Sequence, residues 1–209
     1  MMCLNQSRIR VTLGGLVIAA LLLGFDCPRA EAHLVTTGLG PVYDGVAHLA
    51  LSPADLAMVV VLTLLAAMCG ARHGRWLLAL LPSAWLVGGV LGLIFPANPS
   101  LNWLIGLAFL LTGGLVAADR DLPLPVVSGL VTTLGAFHGF LTGAALAAAP
   151  SAGLELTGEW VALIVIVTLV AGLVVSLKAF WMRIVVRVLG SWIAATGLLL
   201  IGWSFRAGG

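Results

Sequence analysis

The stretch YDGVAHLALSPADLAM, Tyr43–Met58, decides how the chain is read. It places His48 just ahead of a long apolar body and Asp55 at the start of that body. Polar groups at a membrane entrance are costly unless they are used. The same stretch also reads as a helix start. Ser52 suits the N-cap, Pro53 the first helical position, and Asp55 the acid position of a capping box. Asp55 therefore has both a structural and a functional reading, and a carboxylate has enough lone pairs to serve both. The structural alternative for His48 is a solvated histidine at the interface.

Working outward, the composition sets the class. The 209-residue chain is 61% hydrophobic and 9% charged, whereas soluble domains carry about 25% charged residues. The polar surface is too small to coat a water-soluble globule, so the chain reads as an all-α polytopic membrane protein embedded in a lipid bilayer. A formal charge of +2 gives no reason to expect nucleic acid as a partner. Cys3, Cys27 and Cys69 are scattered and form no CxxC, which argues against a zinc knuckle or a disulfide framework. Cys27 follows Gly24-Phe25-Asp26, a poor lipidation box.

Towards the N-terminus, residues 1–32 read as a cleaved signal peptide. Arg8 and Arg10 form a positive n-region, Val11 to Phe25 an apolar core, and Ala30-Glu31-Ala32 a small-residue cleavage site. The mature chain, residues 33–209, would then begin at His33 in a bacterial periplasm. Gly38, Gly40, Pro41 and Tyr43 break any long helix, so residues 33–52 read as a short outside segment, re-entrant or interfacial.

Towards the C-terminus, six apolar spans are expected, at about 53–69, 76–95, 103–118, 126–149, 160–179 and 184–204, each near the ~20 residues a bilayer requires. Polar stretches around Cys69–Arg75, Pro96–Ser100, Asp119–Pro125, Pro150–Glu159 and Trp181–Arg183 separate them. With the N-terminus outside, the inner loops hold Arg72, Arg75, Arg120, Lys178, Arg183 and Arg187, and the outer side only Arg206. This fits the positive-inside rule and places both termini in the periplasm, with the bundle in the inner membrane. Glu155 and Glu159 then fall outside. Gly88, Gly89, Gly92, Gly113, Gly114, Gly139 and Gly143 lie within spans, where small residues let helices approach closely. Two three-helix halves would allow an inverted repeat.

Few polar groups remain for chemistry. His138 lies near the middle of the fourth span, and an intramembrane histidine is a functional pointer. Its structural alternative is a neutral imidazole bonded to Thr132, Thr133 or Thr142. His33 would offer an amine and an imidazole together. His73, between Arg72 and Arg75, reads as a solvated loop residue, and Met58 and Met68 as core filling. Histidines with a carboxylate and no thiolate cluster suit nickel, cobalt, zinc or copper, held weakly enough to be released. An enzyme is not expected, because Val127-Ser128-Gly129 lacks the preceding glycine of a serine-nucleophile signature.

Taken together, the signal peptide ending before His33, the stretch Tyr43–Met58 and FHGFLTG at Phe137–Gly143 resemble the HupE/UreJ family of nickel/cobalt permeases. The resemblance covers the whole mature chain. It implies a secondary transporter for a divalent transition metal, with His33, His48, Asp55 and His138 as metal ligands and no covalently bound cofactor. Leu56 and Thr142 stand where the family pattern has further histidines. A different role also fits that loss: a non-transporting, periplasm-facing protein that binds metal, copper included, and serves a metalloenzyme maturation system.

Overall fold

The computed structural model describes residues 36–95, 102–176 and 180–207, and among them there is no strand. Seven helices follow in order: α1 Pro41–Leu51, α2 Pro53–Met68, α3 Ala71–Ile94, α4 Asn102–Ala118, α5 Leu124–Leu146, α6 Ala152–Ser176 and α7 Phe180–Ala207. The leader at 1–32, His33 and Lys178 lie outside the described residues.

The apolar segments appear as helices close to their expected positions, with three corrections at their ends. The outside segment holds a helix, α1. Gly40 stands at its N-cap with φ 109°, and Pro41 opens it. Glycine tolerates that backbone, and proline at a first helical position gives up no needed N–H. The residues expected to break a helix therefore start one. Asp44 secures the start by accepting hydrogen bonds from the amide of Thr37 (2.6 Å) and from its hydroxyl (2.7 Å). Next, α3 begins at Ala71, so Arg72, His73 and Arg75 are helical. His73 is not a free loop residue, since its Nε2 lies 3.1 Å from the Leu122 carbonyl. Finally, α6 begins at Ala152 and α7 at Phe180, so Glu155, Glu159, Trp181 and Arg183 lie inside helices.

The α1–α2 junction turns through 73°. Ser52 is extended there (φ −90°, ψ 93°), its amide closing α1 on the His48 carbonyl and its carbonyl opening α2 to the Leu56 amide. The Ser52 side chain makes no capping bond. The capping box expected of Ser52 and Asp55 is not formed, which leaves the Asp55 carboxylate free for another partner.

Among the described residues, 4 helices (α3, α5, α6 and Arg183–Arg206 of α7) are long and apolar enough to cross a membrane, or up to 5 if the bent α1–α2 pair is one span. The apolar α4 is shorter. The protein is thus a multi-pass helical membrane protein.

Glycines set the tightest seams. A methyl group at Gly88, Gly139 or Gly143 would run into the backbone of Ala136, Trp85 or Gly89, which locks α3 against α5. Gly45 and Gly158 bring α1 equally close to α6, against Glu155 and Val42. Gly113 and Gly197 do the same for α4 and α7, whereas Gly114 faces open space. At the end of the bundle where α2 meets α3 and α4 meets α5, Cys69 Sγ reaches the Arg120 carbonyl. Arg183 pairs with Asp119 (2.7 Å) and Arg187 donates to the Ala117 carbonyl. Among the described residues Arg72, Arg75, Arg120, Arg183 and Arg187 gather at that end and Arg206 at the far end of α7, as the charge pattern leads one to expect.

Candidate functional site: two buried histidine–carboxylate pairs

His138 on α5 is fully buried. Its Nδ1 lies 3.0 Å from Asp55 Oδ1 of α2. An ionised carboxylate can only accept, so opposite it Nδ1 is the donor, and in the neutral imidazole that tautomer leaves Nε2 its lone pair. None of Thr132, Thr133 or Thr142 takes the role of Asp55. The imidazole is near-parallel to the rings of Trp85 (6.0 Å between centroids, 28°) and Phe109 (6.2 Å, 16°), with Phe137 edge-on. Four helices thereby fix one imidazole: α2 by the hydrogen bond, α3 and α4 by rings, and α5 by the chain itself.

His48, on α1, is 7% exposed. Its Nδ1 faces Glu159 Oε2 of α6 at 3.8 Å, beyond hydrogen-bond reach. Glu159 has no exposed surface. Its other oxygen accepts a 3.0 Å bond from the Trp85 indole N–H. Trp85 therefore touches both pairs, its ring against His138 and its N–H on Glu159. The Thr142 hydroxyl, on α5, is also buried and has no hydrogen-bond partner.

One property marks this region off. Among the described residues, the buried side-chain nitrogen and oxygen atoms without a hydrogen-bond partner are His48 Nδ1, His138 Nε2, Thr142 Oγ1 and Glu159 Oε2. Each such atom costs roughly 1–3 kcal/mol, and all four belong to this network. They are Lewis-basic or ambivalent groups, a donor set that suits a cation. No three His, Cys, Asp or Glu side chains among the described residues are already arranged to hold a metal ion. The geometry consists of two histidine–carboxylate pairs joined through Trp85.

Of the residues expected from sequence, His48, Asp55 and His138 all enter this network, His138 bonding Asp55 and His48 facing a different acid. Sequence reasoning missed Glu159, placing it in an outer loop. The usable signal was a carboxylate about 10 Å inside an apolar helix that starts at Ala152. Trp85 carried no signal of its own, being one apolar residue among many.

A family model described as HupE / UreJ protein matches residues 16–200. The chain is 28% identical over 202 residues to "Protein HupE" of Rhizobium leguminosarum bv. viciae, covering 95% of this chain and 99% of that protein. No solved structure matches.

Proposed function

The chain belongs to the HupE / UreJ family, and from that premise we propose that it is a secondary membrane transporter for a divalent transition metal, nickel or cobalt, carried from periplasm to cytoplasm. The observation that carries this reading is the buried Asp55–His138 pair with Nε2 left unpartnered. Histidines that ligate metals commonly donate the second ring N–H to a carboxylate, which fixes the tautomer and raises the basicity of the ligating nitrogen. Asp55 does this for His138. Ligands offered as pairs, rather than as a closed cage, hold an ion weakly enough to pass it on.

In this reading six spans cross the inner membrane, with the bent α1–α2 pair as the first and α4 as a short third. A cleaved leader leaves His33 as a capture ligand at the outer mouth. His48 follows near that mouth, and His138 and Asp55 lie deeper. Arg72, Arg75, Arg120, Arg183 and Arg187 mark the cytoplasmic end. No enzymatic step is assigned.

Uptake of radioactive nickel and cobalt by cells expressing the wild type, His138→Ala or Asp55→Asn tests the reading. Loss of uptake in both variants at unchanged membrane levels supports it, and undiminished uptake in His138→Ala would sink it. Leu56 and Thr142, standing where the family pattern has histidines, favour a second reading: metal binding, copper included, in support of metalloenzyme maturation. Stoichiometric copper on the purified protein, with no transport into vesicles, would select it.

A further inference from the structure

We propose that Glu159 is a direct ligand of the transported ion and forms, with His48, an outer station distinct from the Asp55–His138 pair. The inference deepens the transport reading and rests on it.

The argument begins with what Glu159 does not do. A carboxylate buried without exposed surface normally has its oxygens satisfied, by an arginine, by backbone amides or by hydroxyls. Glu159 has one oxygen on the Trp85 N–H and the other, Oε2, on nothing. Opposite Oε2 stands His48 Nδ1, likewise buried and unpartnered, at 3.8 Å. The pair is too far apart to bond directly. It is spaced as two donors that share one ion between them, because bonds of about 2.0–2.2 Å from nitrogen and oxygen to a borderline metal hold neighbouring donors roughly 3 to 4 Å apart. Two orphaned atoms, from α1 and α6, thus face one place.

Charge points the same way. A divalent cation in a low-dielectric interior needs compensating negative charge close by. Glu159, giving up its proton as the ion binds, supplies such a charge at the station itself. Trp85 holds the arrangement, keeping one Glu159 oxygen occupied so that the other points at His48. The ion is met first by His48 and Glu159 and then handed to the free Nε2 of His138.

The test uses the full-length protein in detergent, titrated with nickel alone and cobalt alone, beside uptake in cells. Glu159→Gln keeps the acceptor for the Trp85 N–H and removes the charge. We expect its nickel affinity and its uptake below saturation to fall about tenfold or more, with an unchanged melting temperature and partial recovery in Glu159→Asp. Wild-type affinity and uptake in Glu159→Gln would overturn the inference and leave the transport reading standing. If the wild type binds nickel but moves none, while Glu159→Gln binds it more weakly, the ligand assignment holds and transport fails. If the wild type binds neither metal, both fall. Should Glu159→Gln not fold, His48→Gln reads the same station from α1: an equal loss supports the assignment and an unchanged affinity overturns it.

Discussion

The two histidine–carboxylate pairs are built from the same chemistry and differ by less than an ångström in separation. Asp55 and His138 meet at 3.0 Å, whereas Glu159 and His48 stop at 3.8 Å. The first separation is a hydrogen bond, and the second is a gap with an unpartnered atom on each side. A closed pair orients an imidazole, while an open pair leaves two donors available to a third party. The contrast teaches that a buried histidine beside an acid is not one kind of site. What matters is which atoms the pairing uses up and which it leaves free.

The contrast can be broken most severely at the closed pair. His138→Ala removes the best-anchored imidazole in the bundle, and nickel uptake is expected to fall about 100-fold, at the upper end of what perturbing a metal site costs. Uptake by cells with matched membrane levels of protein measures it. A drop of only two- or threefold would mean that the closed pair is structural and that the open pair alone carries function.

The open pair can be attacked without touching either side chain. Gly158, beside Glu159, lets α6 approach the Val42 backbone of α1. Gly158→Ala puts a methyl into that carbonyl, and overpacking of this kind costs about 1–3 kcal/mol. Gly153 is on the same helix with open space around it, so Gly153→Ala is expected to be neutral or slightly stabilising, since alanine is the better helix former. Thermal unfolding of both variants in detergent checks the difference. Equal melting temperatures would show that the α1–α6 seam does not set the 3.8 Å gap.

Trp85 joins the two pairs, so a substitution there separates their contributions. Trp85→Phe keeps an aromatic ring near His138 but removes the N–H that holds Glu159. The expected result is a loss of uptake of about tenfold, the lower effect of a residue that positions a ligand rather than being one. Apparent affinity should weaken more than maximal rate, because the closed pair is left intact. A fall in maximal rate alone would assign Trp85 to the His138 side.

Much of the fold was legible because an apolar run of about 20 residues has few alternatives in a bilayer. The errors came where one residue type serves two purposes. Gly40 and Pro41 read as helix breakers, yet glycine before and proline at the first position of a helix start one. Glu155 and Glu159 read as loop because hydropathy counts a carboxylate as exposed. Burial of Glu159 depends on the Trp85 N–H, 74 positions away in the sequence, and no local pattern announces such a partner. His48, Asp55 and His138 stood out because ionisable groups are rare in so apolar a chain. Their pairing was not legible, since it is set by which helices the glycine seams bring together.

Asp55 supplies the smallest and most discriminating test. Its spacing from Ser52 fits a capping box, and such a cap would be worth about 1 kcal/mol. In the fold the Ser52 hydroxyl caps nothing and the Asp55 carboxylate is spent on His138. The helix start is held instead by backbone, through the Ser52 amide on His48 and the Leu56 amide on Ser52. Ser52→Ala leaves both of those bonds in place. Its expected cost is under about 0.5 kcal/mol, the ordinary range for a side chain that makes no special interaction, and a melting-temperature change below about 2 °C. A loss of the full cap value would mean that the Ser52 hydroxyl accepts from the first-turn amides after all, a role separate from the 3.0 Å bond that commits the Asp55 carboxylate to His138.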